Sequence, residues 1–151
     1  MKLHSLSLEE IKNLSSSYID EDLKKERWGF LSIEIGPELV LTTASVDLSS
    51  LPPINYQNFH LSFFTATEMI GQLLVIYLHH RAGLTFKARE VWVSKVTNKF
   101  IKPIKDPENI SIVLKAKKLH QRKATTICDF ECEIKGLSGG LFQSNGRVWL
   151  I

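Results

Sequence analysis

The chain has 151 residues, 44 % of them apolar and 23 % charged, with a formal net charge of +3. That length suits one domain with a substantial core, and the composition is the ordinary balance of a globular protein. A membrane-spanning helix is excluded, because the longest apolar run, Met69–Leu78, is broken by Gly71 and Gln72 and is too short to cross a bilayer.

The N-terminus, MKLHSLSLEEIKNLSSSY, has no apolar h-region and no small-residue cleavage site, so a cytoplasmic location is expected. Ser7-Leu-Glu-Glu10 is a capping-box pattern, and Leu8, Ile11, Leu14 and Tyr18 recur at helical spacing, which predicts a first helix. A polar stretch follows over Asp20–Arg27. Two β-like runs come next, Trp28–Ile35 and Leu39–Leu48, separated by the turn signal Gly36-Pro37. SSLPPINYQ reads as a loop, since adjacent prolines fit neither a helix nor a central strand.

The segment Phe59–Gly83, FHLSFFTATEMIGQLLVIYLHHRAG, reads as one long helix, apolar nearly all round. Thr65-Ala-Thr-Glu68 is a second capping-box pattern, with Thr65 as expected N-cap and Glu68 at N3, and Gly83 stands in the C′ position. After Gly83 the chain reads as strand. Val91–Phe100 and Ile110–Leu119 alternate, joined by KPIKDPEN; Lys123–Ile134 alternates too, and GLSGG turns the chain into Leu141–Ile151. The expected layout is α+β: a helix, two strands, a long apolar helix, then three or four consecutive antiparallel strands that must cover it.

Glu68, Gln72 and His79 fall within about 40° of one another on that helix, its only polar stripe. Capping accounts for Glu68 alone, so the stripe predicts partners, water or a ligand for the rest. Gly71 beside it gives up about 1 kcal/mol of helix propensity and is expected to admit a close neighbour or a ligand. Cys128 and Cys132, about 13 Å apart along one face of a strand, can form neither a disulfide with each other nor a zinc site, and half-buried free thiols are expected. Twelve Lys/Arg lie between Arg81 and Lys123 against Glu90, Asp106 and Glu108, a surface suited to phosphates or to an acidic carrier protein. Stacking aromatics are scarce there, which argues against nucleic acid. Trp28, Trp92 and Trp149 are expected in the core, and His79-His80-Arg81 at the helix end, where cations suit the dipole.

Three features together resemble the hot-dog domains, in which a curved antiparallel sheet wraps a long central helix. Glu68-Met-Ile-Gly-Gln72 is similar to the Glu-x-x-x-Gln that opens this helix in FabA/FabZ-type hydroxyacyl-carrier-protein dehydratases. Val93–Ile104 resembles the F-x-x-P-V strand and turn that follows it, and Phe130–Gly140 with Gly146–Ile151 look like the closing strands. The H-F-P-G-x-P loop that carries the dehydratase histidine is absent, and His60 stands eight residues before Glu68. The stretch from His60 to Gln72 looks more like the FcoT-type long-chain acyl-CoA thioesterases.

The resemblance implies a single hot-dog domain over 1–151, with 1–27 as an N-terminal helical extension. It implies a thioesterase acting on acyl-CoA or acyl-carrier protein, working as a homodimer or higher oligomer. Glu68, Gln72 and His60 would be the catalytic candidates, and Thr67, Gly71, Lys99 and Lys102 would bind substrate. No metal or separate cofactor is implied, coenzyme A or phosphopantetheine being part of the substrate. A hydroxyacyl-thioester dehydratase is the alternative, followed by a non-catalytic acyl-binding subunit.

Overall fold

The computed structural model describes residues 1–16, 26–50 and 58–151. Seven strands form one antiparallel sheet in the order β1-β2-β3-β5-β6-β7-β4. They are β1 (His4–Ser5), β2 (Trp28–Ile35), β3 (Leu39–Val46), β4 (Val91–Lys102), β5 (Ile110–Arg122), β6 (Thr125–Lys135) and β7 (Leu141–Leu150). Among the described residues a short helix, α1 (Leu8–Leu14), a long one, α2 (Phe63–Arg81), and a 3-10 turn at Leu48–Ser50 accompany the sheet.

Period-2 alternation built the sheet, as expected for strands with one buried face. Ile110, Ile112, Leu114 and Ala116 of β5 are buried, as are Cys128, Phe130, Cys132 and Ile134 of β6, and all point toward α2. Met69, Leu73, Ile76 and Leu78 of α2 are buried against them, so the core lies between helix and sheet. Tyr77 reaches the far side and donates its hydroxyl to the Pro37 carbonyl at 2.6 Å.

Several expectations need correction. The strand after the helix does not pair with its successor: β4 pairs with β7, at the far edge from β1. Of the four strands after α2, only β5, β6 and β7 follow one another as neighbours, so the chain crosses between β4 and β5. The first helix has the Ser7–Glu10 capping box but stops at Leu14, with Leu8 facing water, and Tyr18 lies outside the described residues. The stretch 17–25 and most of the proline loop, 51–57, lie outside them too. The two-residue β1 carries no sequence signal. Of the tryptophans, Trp28 is buried, but Trp92 is 64 % exposed.

Candidate functional site

The helix α2 begins earlier than the sequence pattern suggests. Its N-cap is Ser62, whose hydroxyl accepts from the Thr65 amide at 3.1 Å and donates to Thr65 Oγ1 at 3.0 Å. Thr65 is therefore a residue of the first turn, and its own hydroxyl donates to Glu26 at 2.7 Å. The C-terminal end matches expectation. Gly83 adopts φ +71 and its amide reaches the His80 carbonyl, while the Leu84 amide reaches His79, a Schellman closure.

Glu68 thus stands a full turn beyond the capping positions and does not cap. Its carboxylate accepts the Trp28 indole N–H at 2.9 Å, tying the start of β2 to α2. Gln72 is buried and accepts the Ser16 amide at 2.9 Å through Oε1. His79 is fully buried; Nδ1–H donates to the Val75 carbonyl at 2.8 Å, and Nε2 accepts the Arg89 amide at 3.2 Å. The polar stripe read from the sequence therefore exists and meets protein partners along its length. A buried polar group left without one costs roughly 1–3 kcal/mol, which explains why each has a bond.

The stripe of α2 left without full cover runs past Phe64, Thr67, Glu68 and Gly71. Gly71 has open space where a Cβ would stand, with no atom within 4 Å. It lines a small crevice with Leu74 and Val75 of α2, Val91 and Val93 of β4, and Ser16, Lys87 and Glu90. Toward the helix start the same side is aromatic: Phe63 packs on Phe142 at 6.2 Å and Phe100 on Phe142 at 4.6 Å. The register of β4 on β7 puts Val93, Val96, Asn98 and Phe100 on the face that carries buried Val148, Ser144 and Phe142. Yet Val93 and Val96 remain 45 % and 44 % exposed, so the helix leaves this edge of its own sheet uncovered.

The structure brings Glu68, Gln72, Thr67 and Gly71 onto one helix and keeps the other candidates apart. His60 is exposed in the segment before α2, in a separate cleft with Leu48, Asn58, Pro103, Lys105 and Pro107. Glu68 does not line that cleft. Lys99 is opposite Gln143 on the outer face of the sheet, and Lys102 opposite Leu141 beside the Gly139 turn. The basic surface is less one-sided than the sequence suggests, since β6 brings acids next to it: Lys117 pairs with Glu131 at 3.4 Å and Arg147 with Asp129 at 2.6 Å. No group of three or more His, Cys, Asp or Glu suited to a metal occurs among the described residues. Both cysteines are free and fully buried, not half-buried, and burial pushes the Cys128 thiol up to about 12 and the Cys132 thiol up as well.

No family profile and no curated protein sequence matches this chain. Solved structures do. The PaaI protein from the phenylacetic acid degradation operon of E. coli superposes with TM-score 0.55 at 15 % identity, over 80 % of this chain and 81 % of its own. A thioesterase from Haemophilus influenzae gives TM-score 0.56 at 12 % identity, over 93 % and 90 %. A hypothetical thioesterase from Streptococcus pneumoniae, solved with coenzyme A, gives TM-score 0.53 at 13 % identity, over 83 % and 86 %. The chain has the hot-dog fold. Its central helix is α2, and the hot-dog sheet runs from β2 to β4, with α1 and β1 added at the N-terminal edge. At such low identity the likeness carries the architecture and not the chemistry.

Two residues of this hot-dog site escaped the sequence reading. Trp28 is the partner of Glu68 from forty residues away, and Asn98 sits in an otherwise apolar strand face. Asn98 interrupts the run Val93, Val96, Phe100, a signal that was visible in the sequence.

Proposed function

We propose that the protein is an acyl-thioester hydrolase whose substrate lies along the uncovered stripe of α2 against β4. The supporting observation is that open edge: Gly71 without a Cβ, a crevice beside it, and an apolar β4 face that the helix covers only in part. Such a groove suits an acyl chain or pantetheine arm, and a second subunit against β4 would close it, so the working form is a homodimer or higher oligomer.

In this reading Glu68 is the general base. Trp28 holds one of its carboxylate oxygens, which fixes the group's direction and leaves the other to take a proton from water. The hydroxide so formed adds to the thioester carbonyl carbon, the C–S bond breaks, and the proton held by Glu68 passes to the departing sulfur, giving free thiol and the carboxylic acid and restoring the carboxylate. Gln72, one turn along with its oxygen held by the Ser16 amide, would orient substrate or water through its side-chain N–H, and Thr67 and Gly71 would line the acyl path. Lys99 and Lys102, on the outer face of the sheet, would meet the phosphates of coenzyme A or an acidic carrier protein only beyond the sheet edge, outside the groove. No cofactor beyond the thioester's own pantetheine is required.

A second reading has one observation in its favour. Glu68 and Gln72 are both engaged by protein partners, as in a hot-dog subunit that binds acyl groups without turning them over. A dehydratase is less favoured, because His60 opens into a different cleft from the one beside Gly71. Release of free thiol from acyl-CoAs of graded length, by wild type and Glu68→Gln, separates these. Turnover lost in the variant with acyl-CoA binding retained supports the hydrolase. Binding without turnover in the wild type supports the acyl-binding subunit.

A further inference from the structure

Within the uncovered β4 edge lies one polar spot. Asn98 of β4 and Ser144 of β7 are directly paired across the strands, on the face toward α2. Ser144 is 2 % exposed, and neither its Oγ nor Asn98 Oδ1, both buried, has a hydrogen-bond partner among the described residues. Their surroundings are apolar: Phe100 and Phe142 on one side along the strands, Val96 and Gly146 on the other. Elsewhere on α2 Gln72, Thr65 and His79 are bonded, and the other buried side-chain atom without a partner among the described residues, His80 Nδ1, stands alone near the far end of the helix. Two adjacent unpartnered atoms, flanked by exposed Val96 and Phe100 on the β4 face that continues from the crevice at Val91 and Val93, mark a place suited to a polar group that arrives from outside the chain.

The chemistry of the pair defines that group. The Asn98 oxygen can only accept, whereas the Ser144 hydroxyl can donate or accept. Cross-strand partners have Cβ atoms about 5 Å apart, so one hydroxyl above them can donate to Asn98 and accept from Ser144. A methylene at the same place would leave both atoms buried and unsatisfied. We infer that Asn98 and Ser144 select an acyl thioester whose acyl group carries a hydroxyl, over the same chain without one. This rests on the hydrolase reading of the groove and adds its substrate class.

The test compares hydroxylated acyl-CoAs, with the hydroxyl at the second, third or terminal carbon, against unsubstituted acyl-CoA of equal length. Binding by titration calorimetry and thiol release are both read, for wild type, Asn98→Leu and Ser144→Ala. At least one hydroxylated isomer is expected to bind wild type about tenfold or more tightly than its parent, as sites that hydrogen-bond a hydroxyl discriminate strongly against its absence. Both variants should lose that preference, the hydroxylated chain then binding no more tightly than the unsubstituted one. Binding and turnover with no preference for any isomer overturns the inference and leaves the hydrolase reading standing. A shift in subunit dissociation in Asn98→Leu with no hydroxyl preference in wild type overturns it too, assigning the pair to a subunit contact. Failure of every acyl-CoA to bind overturns the groove reading and this inference together.

Discussion

Gly71→Ala should raise stability and impair function at once. A glycine inside a helix costs about 0.8–1.0 kcal/mol relative to alanine, and here no steric penalty offsets the gain, because an added Cβ meets no atom within 4 Å. In a chain of 151 residues a gain of about 1 kcal/mol corresponds to a rise in melting temperature of roughly 2–4 °C. The methyl projects into the crevice bounded by Leu74, Val91 and Val93, the path assigned to the acyl arm. Scanning calorimetry at fixed protein concentration measures the first effect, and thiol release or acyl-CoA titration the second. Higher stability with full acyl-thioester binding would remove Gly71 from the substrate path. A lower melting temperature would refute the reasoning at its root, since it requires something to occupy the space beside Gly71.

Gly146→Ala should act in the opposite direction, because its Cβ would stand 2.1 Å from the Lys95 carbonyl oxygen; backbone must move, and a loss of about 1–3 kcal/mol is expected in chemical denaturation. Cys128 and Cys132 should resist thiol reagents at pH 8 in the native protein and react on unfolding, both being buried with raised thiol pKa values; rapid native labelling would contradict the packing of β6. The Arg147 guanidinium holds the Asp129 carboxyl below its ordinary range. A depressed carboxylate stabilises above its unfolded value and loses that contribution as pH falls through the folded one. Asp129→Asn should therefore lower the melting temperature at pH 7, with the difference shrinking below about pH 4. Ser62→Ala should cost about 1 kcal/mol of stability by thermal denaturation, as an N-cap does.

The strands and the long helix were legible because their signals are local. Alternation marked β5, β6 and β7, and the Gly83 stop marked the end of α2 within the sequence itself. The start of α2 was misplaced by three residues because two patterns compete there. Thr65-x-x-Glu68 and Ser62-x-x-Thr65 both offer a hydroxyl to an amide three residues on, and the choice of Ser62 goes with long-range contacts: Phe63 packs on Phe142, the Leu61 amide donates to the Ile104 carbonyl, and the Thr65 hydroxyl donates to Glu26. Long-range partners left no local trace. The pairing of β4 with β7 spans some fifty residues, and the Trp28–Glu68 bond forty. Lys99 was legible as a basic residue but not by face, because the irregularity between Val93 and Lys95 shifts the alternation along β4. His60 lay near Glu68 in sequence, but the turn of chain into α2 leaves it in another cleft.

The strand β4 has one further consequence, for the behaviour of the protein at high concentration. Twelve residues long, it is bonded to β7 on one side, and its other edge has no strand among the described residues. Exposed Trp92, Val93, Val96 and Ile101 make it the kind of segment that templates fibrils. Its lysines oppose that outcome. Stacked in register and parallel, as in a fibril, Lys95, Lys99 and Lys102 would each stand about 4.8 Å from their own copies, repelling at every layer. The irregularities at Val93/Lys95 and Phe100/Lys102 twist the edge out of flatness as well. Charge and twist together disfavour the stacking of this edge into an extended fibril. Replacing these lysines with threonine would remove the gatekeepers and leave an apolar ribbon free to polymerise.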